Sequence, residues 1–440
     1  MTRSGTGSGT RSDTHSGSPL RLTEREQQML DGRDGEAVAL CMRLVTGVAR
    51  ASGAPRLLEV ASAHVDGCLY HGRAGLDFAE RLVETGGRVS VRTTLNVGSL
   101  DLLHPWLVRD QEIAASGRRL MQAYVELGCE PTWSCAPYQS GHRPALGSHV
   151  AWAESNAIAF VNSVLGARTD RYGDFLDIAA AVTGRAPDAG LHRDEARRAV
   201  LVLDLSGVSR ALLEEDVAWP LVGAVLGARA GTRVAALTGL PGDLADGGRT
   251  EDRLKALGAT AASSGGVALF HVVGVTPEAP TLEAVAAPGA PTLSVGTADL
   301  RAARDELSTA SGDRLDAVSL GTPHFSLTEL AALADLLRGG APFADGVDVW
   351  VSTSRRVLDE ARALGYVDPL LAAGGRVLTD TCTYVTPVLR PGTGVVMTNS
   401  GKWAWYAPGN LGVDTVLGSL AECVASARAG RVVRDERLWG

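Results

Sequence analysis

Short apolar segments alternate with amphipathic helices through most of this chain, and this alternation constrains the fold more than any other feature. In the C-terminal half the apolar segments have the length and the β-branched content of strands. These predicted strands are Thr292–Val295, Ala317–Leu320, Val347–Val351, Arg376–Asp380 and Gly394–Thr398. A helix between successive strands supplies the long crossover that a parallel pair requires. The sequence therefore predicts an α/β fold with several doubly wound parallel sheets.

The same pattern divides the chain into a tail and three α/β segments. Residues 1–19 are rich in Gly, Ser and Thr and have almost no apolar side chains, which predicts a disordered tail. A rise in charge before residue 199 and a proline-rich stretch before residue 292 mark the other boundaries. We expect an N-terminal α/β domain with a central helix at 20–197, a middle α/β segment at 198–291 and a C-terminal α/β domain at 292–440.

One predicted helix, Val150–Leu165, is apolar on nearly all sides and is therefore expected to be buried. It nevertheless carries Ser155, Asn156 and Asn162, and a buried polar group without a partner costs roughly 1–3 kcal/mol. Two interpretations stay open with equal weight: a structural hydrogen-bond network between domains, or contact with a polar ligand. The loop after the helix carries Arg168, whose guanidinium suits a carboxylate ligand.

Polar residues follow the predicted strands at their carboxyl ends. In the N-terminal domain the predicted strands Arg56–Ser62, Arg88–Thr93 and Glu130–Ser134 lead into loops that carry His64, Asn96 and Cys135. Ligands in open α/β sheets bind at the carboxyl ends of strands, so three such residues in succession predict one crevice. A purely structural histidine at position 64 is an equally weighted alternative.

Further polar strand ends occur in the C-terminal half, at Thr322–His324, Ser354, Arg355, Cys382 and Ser400–Lys402. Lysine occurs only at positions 255 and 402, whereas arginine is abundant, which favours a site role for Lys402 over a structural one. The segment before Lys402 is not a phosphate-binding P-loop, because Trp403 occupies the position that requires Ser or Thr.

The composition excludes several classes of function. A formal net charge of -8 argues against nucleic acid as a partner. No apolar run is long enough to cross a bilayer, which argues against membrane insertion. The 6 cysteines include no CxxC pair and no zinc-finger spacing, so we expect a reducing, cytoplasmic compartment.

A series of short motifs runs through the chain. They are SAHVDG (Ser62–Gly67), TTLN (Thr93–Asn96), SCAPY (Ser134–Tyr138), WAESNA (Trp152–Ala157), NSVLGART (Asn162–Thr169), ALFHVVGVTPEA (Ala268–Ala279), LGTPHFS (Leu320–Ser326), DTC (Asp380–Cys382) and MTNSGKWAWYAPG (Met397–Gly409). In this order they resemble the catalytic large component of the aconitase X family, over about residues 20 to 431. The resemblance implies an aconitase-like fold of α/β domains around a central crevice. It also implies a hydro-lyase that dehydrates a small anionic hydroxy acid such as cis-3-hydroxyproline or, in archaeal members, mevalonate 5-phosphate.

The resemblance further implies an iron centre that acts as a Lewis acid on the leaving hydroxyl. The family's ligand positions correspond to Cys135, residue 322 and Cys382, and the family pattern LGCPH has a cysteine where this chain has Thr322. A neutral hydroxyl is a poor substitute for a thiolate ligand of iron. In place of a stable iron–sulfur cubane, we therefore expect a single metal at Cys135 and Cys382, helped by oxygen or histidine donors such as His64, or no metal.

Roles follow for the candidate site residues. Catalysis is assigned to Lys402, Ser400 and His64, and substrate binding to Asn96, Ser155, Asn156, Arg168, Ser354 and Arg355. Within this set, Arg168 and Lys402 are expected to bind the anionic group of the substrate.

An aconitase also needs a small swivelling domain that supplies a serine base, and nothing in these 440 residues resembles one. We therefore expect a separate small subunit as partner, and Ser155 is not assigned the role of that base. The alternative interpretation is a repurposed relative with an altered or lost iron site, acting in a specialised pathway or as a binding protein. An iron and sulfide assay on anaerobically purified protein separates the two interpretations.

Overall fold

Four β-sheets organise the part of the chain that the computed structural model describes, residues 19–240 and 247–439. The expected disordered tail, residues 1–19, lies outside these ranges apart from its last residue. Three of the sheets each form the centre of one α/β domain, and the fourth is a two-stranded antiparallel pair in the N-terminal domain. The predicted α/β fold with several parallel sheets is confirmed.

The N-terminal domain contains a three-stranded parallel sheet in the order β3-β2-β4. Its helices and strands are α1 (Glu24–Leu30), α2 (Glu36–Ala51), β1 (Leu57–Glu59), β2 (Ser62–Val65), α3 (Arg73–Glu84), β3 (Arg92–Leu95), α4 (Gln111–Glu126), β4 (Ala151–Trp152), α5 (Ser155–Ser163), α6 (Leu176–Thr183) and β5 (Arg185–Pro187). Thr23 caps α1 in a capping box with Glu26, as the Thr-x-x-Glu spacing predicts. The apolar faces of the helices and strands bury a core that includes Met42, Leu82 and Leu95.

The predicted central helix, Val150–Leu165, is wrong over its first part. The apolar stretch begins as the strand β4, which pairs with β2, and only Ser155–Ser163 is helical. The backbone of Glu154 separates the two elements, because its φ of 71° is compatible with neither a strand nor a helix. A two-residue strand has the same apolar composition as a helical turn, so periodicity did not distinguish them.

The position of His64 also differs from the prediction. The segment predicted as one strand, Arg56–Ser62, is divided between β1 and β2, and His64 lies inside β2 rather than in a loop after it. The predicted strand Glu130–Ser134 is reduced to a single bridge at its first residue. The Thr132 hydroxyl accepts from the N–H and donates to the C=O of Leu95, and the N–H groups of Glu130 and Ser134 donate to carbonyls of β3.

A four-stranded parallel sheet in the order β8-β7-β6-β9 forms the middle domain. Its helices and strands are β6 (Leu201–Gly207), α7 (Arg210–Glu214), α8 (Ala218–Ala230), β7 (Ala235–Thr238), α9 (Gly247–Gly265), β8 (Phe270–Val272), α10 (Leu282–Val285), β9 (Thr292–Gly296) and α11 (Thr297–Glu306). The predicted boundary after residue 291 is wrong, because β9 pairs with β6 and α11 packs on α8. The proline-rich stretch is therefore a connection inside the domain.

The C-terminal domain has a five-stranded parallel sheet in the order β12-β11-β10-β13-β14. Its helices and strands are β10 (Ala317–Phe325), α12 (Leu327–Leu337), β11 (Asp348–Thr353), α13 (Arg355–Ala363), α14 (Asp368–Ala372), β12 (Arg376–Leu378), β13 (Val395–Thr398), α15 (Gly401–Leu411), β14 (Asp414–Leu417) and α16 (Leu420–Ala429). The central strand β10 is longer than predicted, so Thr322 and His324 lie at its end rather than in a loop after it. The doubly wound pattern of this half is confirmed.

Helix α9, which the sequence analysis did not identify, connects the domains. It packs against α5 of the N-terminal domain, α8 of its own domain and α15 of the C-terminal domain. The carboxyl ends of β2 and β10 and the N-termini of α5 and α15 therefore face one region beside α9. Within the described ranges, none of the helices combines the length and the apolar character needed to cross a membrane.

Candidate active site

Lys402 and Glu154 form a buried ion pair where the N-terminal and C-terminal domains meet. Lys402 lies in the first turn of α15 and Glu154 caps α5, and their side chains are only 3% and 6% exposed. The Lys402 ammonium also donates to Ser155 Oγ at 3.1 Å. Ser400 caps α15 by accepting a hydrogen bond from Trp403 N–H at 3.0 Å. The fold thus brings the predicted site residues Lys402, Ser400 and Ser155 together.

The charge state of Lys402 follows from its surroundings. Burial by itself lowers the pKa of Lys402, but the Glu154 carboxylate, with Tyr384 and Cys135, holds this pKa well above its ordinary value. The side chain is therefore an ammonium at neutral pH. An ammonium can stabilise a negatively charged oxygen of a ligand, and it cannot act as a base.

Three non-glycine residues of the site region have left-handed backbone conformations. The φ angles are 44° at Trp133, 71° at Glu154 and 63° at Asp380. Such conformations cost roughly 1–3 kcal/mol each and persist where the surrounding structure imposes them. Trp133 and Asp380 each lie two residues before a candidate metal ligand, Cys135 and Cys382. The strain is concentrated on the segments that present the thiols and the carboxylate.

Cys135 and Cys382 are both buried in the crevice. Cys135 Sγ accepts a hydrogen bond from His324 N–H at 3.3 Å, and the Cys135 carbonyl accepts one from Asn156 Nδ2 at 3.0 Å. Burial, with a further contribution from the Glu154 carboxylate, raises the pKa of the Cys135 thiol to about 12. Burial also raises the pKa of Cys382, and the nearby Cys135 adds to that increase. Without a bound cation, both side chains are therefore neutral thiols.

The residues present do not match an iron–sulfur centre held by three cysteines. Thr322 is buried on β10, and its Oγ1 has no hydrogen-bond partner among the described residues. Those residues also contain no group of three or more His, Cys, Asp or Glu side chains arranged to hold a metal ion. Two thiols and a neutral hydroxyl provide one anionic ligand fewer than a three-thiolate cluster site.

Several buried polar atoms around the crevice lack a partner in the described part of the chain. They are His64 Nε2, Asn96 Oδ1, Asn156 Oδ1 and Thr322 Oγ1. Orphan polar atoms are rare in protein interiors, and a group of them indicates a region that binds water or a ligand. His64 Nδ1 lies 2.9 Å from Thr94 Oγ1, and burial holds the pKa of His64 well below its ordinary value. His64 is therefore a neutral imidazole.

A cavity of about 300 Å³ opens between the N-terminal and middle domains beside this region. Its polar lining comes from Asp66, Glu154, Ser155, Arg171 and Tyr172. A cavity of this size accommodates a small organic acid. Asp66 and Arg171 were not among the predicted site residues, although Asp66 directly follows β2, where the strand-end rule would have found it.

Other predicted site residues have structural partners. Arg168 pairs with Asp194 and donates to the His192 carbonyl at 3.1 Å. Asn162, on the polar helix face, accepts a hydrogen bond from Arg197 at 3.0 Å. These contacts form a structural hydrogen-bond network, which is one of the two interpretations that the sequence left open for the polar helix. Substrate binding by Arg168 remains a prediction.

Ser354 and Arg355 begin α13 next to the loop that carries Cys382. Ser354 Oγ caps this helix by accepting a hydrogen bond from Val357 N–H at 3.3 Å. Arg355 donates to Asp380 Oδ1 at 2.7 Å. The Arg355 contact stabilises the left-handed Asp380 segment, and a direct role of Ser354 or Arg355 in substrate binding remains a prediction.

A crevice between three α/β domains, with a buried ammonium and two buried thiols, has the architecture of an aconitase-like enzyme. Sequence profiles of the aconitase X first, second and third domains match residues 19–195, 199–305 and 315–429. The chain belongs to the aconitase X family. These three ranges contain the N-terminal, middle and C-terminal sheets in turn.

Individual relatives agree with this assignment. Cis-3-hydroxy-L-proline dehydratase of Pseudomonas aeruginosa is 42% identical over 427 residues, which are 95% of this chain and 72% of that protein. The phosphomevalonate dehydratase large subunit of Methanothermobacter thermautotrophicus is 40% identical over 399 residues, 90% of this chain and 96% of that protein. The crystal structure of Thermococcus kodakaraensis aconitase X in its holo-form superimposes with a TM-score of 0.82 at 33% identity, covering 92% of this chain and 100% of that chain. The protein is a hydro-lyase, as the sequence predicts.

Proposed function

We propose that this protein dehydrates cis-3-hydroxy-L-proline, removing water across C2 and C3 of the ring. The observation that carries the proposal is the Lys402 ammonium, held by Glu154 and Ser155 beside a cavity of about 300 Å³. Two relatives, at 42% and 39% identity, are cis-3-hydroxy-L-proline dehydratases. A small hydroxy acid fits the cavity, and the Lys402 ammonium contacts two residues of its lining, Glu154 and Ser155.

Lys402 stabilises the negative charge that develops during this reaction. Removal of the C2 proton moves an electron pair toward the substrate carboxylate, and the hydroxyl on C3 leaves with a proton as water. An ammonium in a site with little water binds the doubly negative enolate form of the carboxylate more strongly than the singly negative carboxylate of the substrate, which lowers the barrier. Glu154 and Ser155 hold the ammonium in place before the substrate binds.

We further propose that the base comes from a second, small subunit. The neutral His64 and the protonated Lys402 do not supply a strong base, and Glu154 is already engaged by Lys402 and by Ala157 N–H. Several relatives that match this chain over almost their whole length are named large subunits, which supports a two-subunit enzyme. We keep a metal at Cys135 and Cys382 as a separate proposal, because these two thiols alone do not complete a cluster site.

The experiment combines the anaerobically purified chain with its candidate small subunit and supplies cis-3-hydroxy-L-proline. We expect the substrate to lose one water molecule and form a cyclic imine, and mass spectrometry detects both changes. Lys402→Met, which keeps the length of the side chain but removes the charge, should abolish turnover. If the enzyme consumed mevalonate 5-phosphate and left cis-3-hydroxy-L-proline intact, the proposed substrate would be wrong. Mevalonate 5-phosphate, which other relatives of this family use, would then replace it.

A further inference from the structure

The lining of the interdomain cavity includes both charged and apolar residues. Asp66 follows β2, Glu154 and Ser155 begin α5, and Arg171 lies on the loop before α6. Aliphatic and glycine residues of α5, α9 and the segment before β8 contribute to the lining, namely Ile158, Ala262, Gly266, Val267 and Ala268. This combination suits a ring that carries both methylene groups and charged groups.

The two carboxylates of the cavity lining differ in their partners. Glu154 is neutralised by Lys402, whereas no ion pair in the described part of the chain includes Asp66. The Asp66 side chain accepts a hydrogen bond from Asn96 Nδ2, which orients the carboxylate. Arg171 is exposed at the edge of the cavity and donates to the Thr232 carbonyl at 3.1 Å. Asp66 is thus the carboxylate that faces the cavity without a cation.

We propose that Asp66 binds the protonated ring nitrogen of the substrate. Asp66 would thereby make the site specific for an amino acid over a hydroxy acid that has no positively charged group. The inference rests on the proposed function and assigns the group that recognises the amine. A bound ammonium supplies the counter-charge that Asp66 lacks. A doubly charged phosphate placed in the same cavity would instead face the carboxylates of Asp66 and Glu154.

The titration of Asp66 is consistent with this role. Burial, with contributions from the Glu154 and Asp174 carboxylates, raises the pKa of Asp66 to about 7. Burial thus disfavours the charged form of Asp66, and an ammonium bound beside it would favour that form.

The test compares two unreactive ring acids, L-proline and cyclopentanecarboxylate, which differ in the ring nitrogen. We expect the wild-type chain to bind L-proline and to bind cyclopentanecarboxylate at least tenfold more weakly. Asp66→Asn keeps the shape and the hydrogen bond from Asn96, and should reduce L-proline affinity about 10- to 100-fold. Affinity for cyclopentanecarboxylate should be unchanged or higher in this variant. Calorimetric titration of the full chain measures both ligands without requiring catalysis.

Two further variants separate recognition from folding. Glu84→Gln removes an exposed carboxylate at the end of α3 that does not line the cavity, and should bind L-proline like the wild type. Asp66→Glu keeps the charge and should keep the preference for L-proline over cyclopentanecarboxylate, even if both bind less tightly. A merely structural Asp66 would give an Asp66→Asn variant that loses both ligands together and unfolds more easily.

The proposal is overturned if the wild-type chain does not prefer L-proline, or if Asp66→Asn binds L-proline as tightly as the wild type. The proposed function fails in a different way, namely if wild-type enzyme with its small subunit leaves cis-3-hydroxy-L-proline intact. If the chain distinguishes the two ring acids but the enzyme does not dehydrate cis-3-hydroxy-L-proline, Asp66 is still an amine-binding residue and the proposed substrate is wrong.

Discussion

At the scale of single residues, the Lys402–Glu154 pair dominates the energetics of the crevice. Both side chains are buried, and each is the main partner of the other. A buried pair contributes little relative to apolar side chains, but removal of one partner leaves an uncompensated charge. The pair is therefore sensitive to single substitutions and tolerant of the double one.

We expect Lys402→Met to lower the free energy of unfolding by about 3–5 kcal/mol. Lys402→Met combined with Glu154→Gln should recover most of that loss, because neither buried charge then lacks a partner. Neither protein should dehydrate the substrate. Urea denaturation measures the stability, and additive losses in the double variant would show that the pair is not coupled.

We propose that Thr322 decides which metal centre the chain can hold. Thr322→Cys adds a third thiol two residues before His324, whose backbone N–H donates to Cys135 Sγ. After anaerobic reconstitution, we expect the variant to bind more iron and sulfide per chain than the wild type and to develop a visible cluster spectrum. Thr415→Cys adds a buried thiol on β14 of the same sheet and serves as the control. A full cluster in the wild type would contradict the ligand assignment.

Asp66 gives the stability a defined dependence on pH. The folded chain binds the Asp66 proton more tightly than the unfolded chain, whose pKa is near the ordinary 3.8. This group therefore stabilises the fold below that ordinary pKa, and the stabilisation is lost as pH rises through about 7. Buried histidines such as His324, whose pKa burial lowers to about 4, act in the opposite direction.

We expect Asp66→Asn to remove this dependence, since an amide does not titrate. The unfolding free energy of the variant minus that of the wild type should increase by on the order of 1–3 kcal/mol between about pH 5 and about pH 8. The histidine contributions are common to both proteins and cancel in the difference. Denaturant titrations across this range measure it, and a difference that does not change with pH would mean that Asp66 titrates at its ordinary value.

At the scale of secondary-structure elements, α9 holds the middle and C-terminal domains together through Lys255. The Lys255 ammonium donates to Asp252 of the same helix at 3.0 Å, to Glu329 of α12 and to the His324 carbonyl at 3.3 Å. The side chain is only 2% exposed, so these bonds form without competition from water. They fix α9 against the strand that carries Thr322.

Lys255→Met should therefore destabilise the protein by about 3–5 kcal/mol, because Asp252 and Glu329 lose their shared cation. Arg229→Met is the control: Arg229 pairs with Asp299 at 3.1 Å on the surface, and its loss should change stability by less than about 1 kcal/mol. Thermal unfolding of both variants gives the comparison. Equal effects would show that the α9 contact is not a buried connection between the domains.

At the scale of the whole molecule, three domains build the crevice, and the proposed base lies on a further subunit. We expect no turnover of cis-3-hydroxy-L-proline by this chain alone and full turnover after addition of a partner about the size of one small domain. Size-exclusion chromatography should show a complex of the two chains. Turnover by the isolated chain at an ordinary enzymatic rate would show that it contains its own base.

Local sequence determined most of the elements and the edge of the sheets at which the site lies. The capping box at Thr23 and the strand–helix alternation depend on residues that are close in the chain, so short windows predict them. Asn96 does follow β3, as the strand-end rule requires. The rule failed to distinguish His64, inside β2, from Asp66, just beyond it, because β-structure extended further than the apolar pattern indicated.

The tertiary structure alone decided which polar groups meet. Glu154 and Lys402 are 248 positions apart, and Lys255 and Glu329 are 74 apart. Asn162 has the same spacing on its helix face whether it binds a ligand or a protein group, and only the packed domains give it the Ala268 carbonyl of the middle domain as a partner. The physical reason is that burial and pairing of a polar side chain depend on the surface of another domain, and no local stretch of sequence contains that surface.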